Sequence, residues 1–335
     1  MSSAIQITDN EIVVSGSHYI KHDGYIHRTG FLKHTIWLFR DLLNTKSIRF
    51  VMCDGEPIVY SSFETVINDI QKLYNIPPDR LLIEVFESTP NYQNNLATVI
   101  IRPTPFFKSV DEDIPLVDWQ LDSNAKLFGG IYGRFTPHRL LMSYFLETQL
   151  ANSFVIFRPG LDWVLFDLDP VQDYYAKQLA WAQERIRTNE TVGNYATTDM
   201  GYHAGVENYY EIWGKYKIEV VIETNIFDHG WFTEKTARCL RTGKPFILLG
   251  TPGQLKKLQA MGFKTFNPVI NESYDNIGDL DSRFNAITKE LERINNLPTA
   301  ELNNLIAEIN TIAKYNAENY TSIINNYYQS FYVQS

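Results

Sequence analysis

Thr233, Glu234 and Lys235 are the residues whose types and spacing best suit chemistry. An apolar run, VVIE, and a loop with a glycine precede them, and a second apolar run, PFILLG, follows. This order predicts a strand, a loop, a helix capped by Thr233 and a second strand. Free N–H groups at the start of such a helix can bind a phosphate, Lys235 adds a cation, and Glu234 can accept from ribose hydroxyls. The segment therefore predicts one half of a nucleotide-binding α/β unit.

A second segment, GGIYGRFTPHR at residues 129–139, has the composition of a phosphate-binding turn. Its glycines would let the backbone approach a ligand closely, and Pro137 suits the first turn of a helix. Arg134 and Arg139 can both hold phosphate oxygens, and the pattern does not choose between them. Such an arginine more often pairs with a neighbouring carboxylate, so the segment gains weight only from its occurrence beside Thr233 to Lys235.

Alternating strands and helices must position these residues. The runs EIVVSG, IRFVMC, LLIEVFES and ATVIIRP predict strands, and FLKHTIWLFRDLL and FETVINDIQKLY predict helices between them. Further on, SFVIF predicts a strand, TPGQLKKLQAMGF a turn and short helix, KTFNPVINESYDN a short strand and loop, and residues 282–328 helices interrupted at Pro298. The proline-rich, acidic stretch after Thr104 predicts a division into two domains, residues 1–120 on the acceptor side and residues 121–335 for nucleotide binding.

Glu223-Thr224-Asn225 followed by the run Trp231 to Lys235, together with the arginine-bearing turn at residues 133–139, carries a family resemblance. From about Lys126 to Asp279 the chain resembles the donor-binding domain of fucosyltransferase-like glycosyltransferases, including viral and phage relatives. The resemblance implies two Rossmann-like α/β domains facing a cleft, the GT-B architecture, with C-terminal helices that cross back to the first domain.

The resemblance also implies roles for individual residues. Glu234 would bind the nucleotide ribose, Lys235 its phosphates, and Arg134 or Arg139 the diphosphate. The other implied donor contacts are Glu223, Asn225, Trp231, Thr233 and Thr251. Trp231 stands where fucosyltransferases usually have Tyr, so the donor is either UDP- or GDP-linked and its sugar stays open.

Transfer of a sugar from a nucleoside diphosphate needs fixed positive charge for the leaving group and, for inversion, a carboxylate that deprotonates the acceptor. It requires no metal or other cofactor. The candidates for the base are Asp54 and Glu56, directly after a predicted strand, and Asp23. Asp54 also fits an ordinary turn.

Two other patterns suggest a different chemistry. Asp167 and Asp169 follow an apolar run and could hold a metal ion against a diphosphate. Asp167 could instead be the nucleophile of a phosphatase. The pair also fits the N-terminal cap of the next helix. The histidines at positions 18, 22, 27 and 34 could suggest a metal site, although no cysteine accompanies them and Gly24 interrupts any helix. A solvated or acceptor-binding loop fits them better.

Composition narrows the class of protein. The 335 residues are 44% hydrophobic with a net charge of −9, which argues against a general nucleic-acid binder. No apolar run approaches a membrane span and the start does not resemble a secretory signal, so the sequence predicts a soluble, cytoplasmic protein. Cys53 and Cys239 fit reduced buried thiols.

The sequence thus predicts an inverting, metal-independent glycosyltransferase. Its acceptor would be a hydroxymethylated DNA base of viral or phage type, favoured by the basic, aromatic stretch from His18 to His34, or a glycan or protein, favoured by the net charge. The alternatives are metal-dependent phosphoryl or glycosyl transfer through Asp167 and Asp169, and a non-catalytic nucleotide- or glycan-binding module. The oligomeric state stays open.

Overall fold

The computed structural model describes residues 5–7, 9–15, 42, 46–51, 71–72, 75–86, 98–102, 107, 110, 120–132, 137–150, 152–157, 177, 180, 212–223, 226 and 232–332. The chain divides into two compact units, one of Met1–Phe106 with Tyr327–Ser335 and the other of Phe107–Asn326. The division after Phe106 precedes the sequence-based boundary at residue 120. We call these the first and second units.

The first unit contains a five-stranded sheet with strands in chain order. Its strands are β1 (Ile5–Ile7), β2 (Glu11–Ser15), β3 (Ser47–Val51), β4 (Leu81–Phe86) and β5 (Thr98–Arg102). β1 pairs with β2 antiparallel, and the other neighbours are parallel. The four strands predicted from the apolar runs are confirmed, and a short 3₁₀ turn, Pro78–Arg80, leads into β4.

The second unit contains a four-stranded parallel sheet of β6 (Lys126–Tyr132), β7 (Ser153–Phe157), β8 (Tyr216–Ile222) and β9 (Phe246–Leu249). Its order is β7-β6-β8-β9. From β6 the chain therefore proceeds to β7 on one side, and β8 and β9 lie on the other. Such a reversal of strand order creates a crevice at the carboxyl ends of the two central strands. Both units thus contain parallel strands, and the chain as a whole is mixed α/β, as predicted. The helices predicted in FLKHTIWLFRDLL and FETVINDIQKLY lie almost entirely outside the described residues.

Among the described residues, five helices occur in segments that the sequence predicts to be helical. They are α1 (Pro137–Gln149), α2 (Glu234–Thr242), α3 (Gln254–Met261), α4 (Leu280–Asn295) and α5 (Thr299–Tyr332). The start of α1 at Pro137, the Thr233 cap of α2 and the break at Pro298 are confirmed. The strand expected in KTFNPVINESYDN is wrong, since this segment forms turns and a 3₁₀ helix, Glu272–Asn276. Across the described residues, no helix is both long enough and apolar enough to span a bilayer.

The sequence interpretation of Gly129 and Gly130 as a ligand-approach turn is wrong. Both lie inside β6, a strand that the sequence did not predict. A Cβ on Gly129 would lie 2.1 Å from a ring carbon of Tyr216, and one on Gly130 would lie 2.4 Å from the hydroxyl of Tyr132. The two glycines therefore make room for buried tyrosine rings, and Tyr132 in turn donates from its hydroxyl to the carbonyl of Val220 at 3.0 Å.

The part of α5 before Tyr327 completes the second unit through polar and aromatic contacts. Asn316 accepts from the Lys264 amide at 2.9 Å and donates to the Lys264 carbonyl at 2.8 Å. The hydroxyl of Tyr320 donates to the carbonyl of Phe107 at 2.9 Å, and the Phe107 ring lies 5.4 Å from the Phe232 ring, centroid to centroid. The segment that leads into α2 thus lies on an aromatic core partly supplied by α5.

Candidate functional site

The candidate site lies at the carboxyl ends of β6 and β8, where the strand order reverses. The two strands pair in parallel, with Phe128 opposite Ile218, so their carboxyl ends meet at one edge of the sheet. Glu223 directly follows β8, and Thr233 caps the helix that this connection enters. α1 begins soon after β6. Two helix starts therefore follow the two strands that flank the crevice, which is the position where open α/β sheets bind their ligands.

Glu223 is fully buried, and its carboxylate accepts three hydrogen bonds from the start of α2. Oε1 accepts from the amide of Thr233 at 3.1 Å and from the hydroxyl of Thr236 at 2.5 Å. Oε2 accepts from the hydroxyl of Thr233 at 2.5 Å. We call Glu223, Thr233 and Thr236 the Glu223 clamp. It joins the end of β8 to the first turn of α2, and the buried charge is stabilised by donors that point at it.

Lys235 and Glu234 occupy the first turn of α2 and pair with each other. Lys235 Nζ donates to Glu234 Oε1 at 3.0 Å and to Thr233 Oγ1 at 3.1 Å. Burial opposes ionisation of Glu234, but Lys235 and Arg238 together with the hydrogen bond from Lys235 hold the pKa of this carboxyl below its ordinary value. About a fifth of each of the two side chains is exposed, 23% for Lys235 and 22% for Glu234. An anion and a set of hydroxyl groups could therefore reach this pair from solvent.

The first turn of α1 contacts the same region from the other strand. His138 hydrogen-bonds to the backbone of Glu223, and burial together with the charge of Arg139 lowers the pKa of His138 to about 3, so its imidazole is neutral. Arg139 is 2% exposed, and its Nη2 donates to the carbonyl of Ile222, the last residue of β8, at 3.3 Å. Both side chains thus fasten α1 to the end of β8, and the Arg139 guanidinium lies in the protein interior.

Thr251 lies in the loop after β9, where side chains of the protein already accept hydrogen bonds from the backbone amides. The Thr251 amide donates to Gln254 Oε1 at 2.9 Å, and a Cβ on Gly250 would lie 1.5 Å from the same oxygen. The carboxylate of Asp275 accepts from the Leu255 amide at 3.0 Å and from the next amide at 3.2 Å. This protein carboxylate occupies the position where a phosphate would bind the start of α3. The start of α2 is therefore a better candidate for a phosphate site than the start of α3.

The structure brings six of the predicted site residues to this sheet edge or the neighbouring loop: Arg139, Glu223, Thr233, Glu234, Lys235 and Thr251. The other predicted residues lie outside the described residues, and their roles stay predictions: Asp23, Asp54, Glu56, Arg134, Asp167, Asp169, Asn225 and Trp231. Within the described ranges, no group of three or more His, Cys, Asp or Glu side chains could hold a metal ion.

A separate buried polar cluster lies beneath the site, at the other end of β8. The Tyr216 hydroxyl donates to Glu219, and Lys244 Nζ donates to the carbonyls of Trp213, at 2.7 Å, and Tyr216. Lys244 also lies 4.2 Å from the centre of the Tyr216 ring. Burial raises the pKa of Glu219 and lowers that of Lys244. These groups fix the amino end of β8, while Cys239, a free buried thiol as predicted, lies near them.

Sequence reasoning missed three residues that shape the site: His138, Thr236 and Asp275. Thr236 could have been found, because it lies one turn after the Thr233 cap and both can face the same acceptor. His138 and Asp275 give no local signal. Their partners are distant in the sequence, and only the fold brings them together.

A scan of the sequence against protein-family models finds no match, and a search of curated proteins finds none either. The resemblance to fucosyltransferase-like enzymes therefore rests on the motif residues named above.

Proposed function

We propose that the second unit binds a nucleoside diphosphate-linked sugar at the carboxyl ends of β6 and β8, and that the protein is a glycosyltransferase. The observation that carries this proposal is the position of Lys235 and Glu234: a half-buried cation and carboxylate at a helix start, beside the strand-order reversal of a parallel sheet. This combination suits the phosphate and ribose of a nucleotide.

The reaction would break the bond between the sugar carbon and the diphosphate while an acceptor hydroxyl oxygen forms a new bond to that carbon. The leaving nucleoside diphosphate gains negative charge, which Lys235 and the amides of the α2 start would stabilise. Arg134 is our choice for a second cation, since the described contacts of Arg139 face the interior. A carboxylate takes the proton of the acceptor, and Asp54, Glu56 and Asp23 are the candidates.

Calorimetric titration with UDP and GDP tests the binding step. K235A should weaken binding of the preferred nucleotide about tenfold to a hundredfold, because it removes a charge-assisted contact to phosphate. E234A should weaken binding of the nucleoside diphosphate but leave binding of inorganic pyrophosphate unchanged, because Glu234 is proposed to contact the ribose, which pyrophosphate lacks. K289A, a change at an exposed lysine of α4, is the matched control and should bind as wild type does. Equal binding by wild type, K235A and E234A would refute the proposed site.

Release of nucleoside diphosphate from a panel of nucleotide sugars tests catalysis. Release that depends on hydroxymethylated duplex DNA would identify a modified base as the acceptor, whereas release with glycans or proteins would identify the other class. Nucleotide binding without release from any donor, alone or with any acceptor, would instead favour a non-catalytic binding module.

A further inference from the structure

We propose that Glu223 is a positioning residue, which sets the place of Lys235 by fixing Thr233 and does not itself touch the nucleotide. The inference rests on the proposed function, and it assigns Glu223 a different role from the donor contact that the family resemblance implies. Its basis is geometric: the Glu223 side chain has no exposed surface, and all three of its described hydrogen bonds go to the start of α2.

The Thr233 hydroxyl is the link between Glu223 and Lys235. A threonine hydroxyl has one hydrogen to donate and two lone pairs to accept with. Here the hydrogen goes to Glu223 Oε2 at 2.5 Å, while the lone pairs accept from the Lys235 amide at 3.4 Å and Lys235 Nζ at 3.1 Å. The hydroxyl is therefore fully used, and its orientation is set by the carboxylate.

Only a carboxylate, with two acceptor oxygens, keeps this arrangement, because a glutamine must place its amide nitrogen where one of those oxygens was. In the place of Oε2 the nitrogen would donate to Thr233 Oγ1, whose two lone pairs already accept from Lys235, so one of the contacts from Lys235 is lost. In the place of Oε1 it would oppose the Thr233 amide, which is also a donor, so the first turn of α2 must shift and Lys235 shifts with it. The ammonium group would no longer be held at the helix start before the nucleotide arrives, and the cost of ordering it would reduce affinity.

Two sets of variants test the inference, and calorimetric titration with the preferred nucleotide is the measurement. E223Q should weaken binding about tenfold, the scale of one hydrogen bond to a charged group. T236V removes one of the three donors to the carboxylate while it conserves the shape of the side chain, and should weaken binding by about threefold. T236S restores the hydroxyl and should recover affinity. T236V and T236S keep the test valid if E223Q does not fold.

A double-mutant cycle separates positioning from general destabilisation. In a K235A background, E223Q and T236V should have no further effect on affinity, because the residue through which they act is absent. A merely structural role would lower the melting temperature and leave affinity well below that temperature unchanged, or would weaken both backgrounds by equal factors. Either result would overturn the inference and leave the nucleotide site intact. If wild type binds neither nucleotide, the proposed function fails, and this inference fails with it.

Discussion

Substitution of Gly129 by alanine should destabilise the second unit severely, because the new methyl group has nowhere to go. Its Cβ would lie 2.1, 2.2 and 2.5 Å from three ring carbons of Tyr216, where ordinary contact begins at 3.4 Å. The ring cannot move aside easily: its hydroxyl is bonded to Glu219, and it stacks on Phe154 at 5.9 Å between centroids. Overpacking and strain on a buried hydrogen bond together give about 3 to 5 kcal/mol.

Thermal unfolding followed by differential scanning calorimetry measures this cost. For a unit of this size each kcal/mol lowers the midpoint by about 2–4 °C, so G129A should melt roughly 6 to 20 °C below wild type. G278A is the matched control: nothing lies within 4 Å of its new Cβ, so its midpoint should change by less than about 2 °C. If G129A melts as wild type does and instead loses nucleotide binding, Gly129 admits a ligand and the packing argument is refuted.

Three further predictions concern buried polar groups. D275A should lower the melting midpoint by about 4 to 12 °C, because it removes the carboxylate that caps α3, which contributes about 2–3 kcal/mol. D275N keeps one acceptor oxygen, and its midpoint should fall by about half as much. Burial raises the pKa of Glu272 from 4.5 to about 7. The protonated Glu272 therefore contributes fully to the free energy of unfolding below pH 4.5, and this contribution is lost as pH rises through 7. Urea titrations across this range should show a smaller decline in the free energy of unfolding for E272Q than for wild type. K244M should lower the free energy of unfolding by about 3–5 kcal/mol in the same titration, because it removes a buried cation that donates to the carbonyls of Trp213 and Tyr216. A loss below about 1 kcal/mol would contradict this account.

Local sequence signals predicted much of the fold around the site. The apolar runs of β8 and β9, the Thr233 cap and the break before α5 depend on residues that are close along the chain, so periodicity and capping chemistry suffice. The strand β6 was missed for a physical reason. Its two glycines are typical of a turn, and only the tyrosine rings that fill the space above them explain why they stand in a strand.

The roles of charged side chains at the site could not be predicted in the same way. Arg139 fits a phosphate ligand by type and position, yet the fold turns it toward the last carbonyl of β8. Glu223 fits a ligand contact equally well, and its burial against Thr233 and Thr236 becomes visible only when the strand and helix are placed together. Residue type thus predicts what a group can bind, while the tertiary structure decides which partner it has.

The order in which the chain is made has a consequence for the second unit. The hydroxyl of Tyr320 reaches the carbonyl of Phe107, 213 positions earlier, and the Phe107 ring also lies near Phe232 and Phe263. Since synthesis proceeds from the amino end, these three phenylalanines leave the ribosome before the helix that covers them exists. The aromatic core can therefore close only after the part of α5 that carries Tyr320 has been translated, so folding of the unit cannot be completed while its earlier segments are still being made.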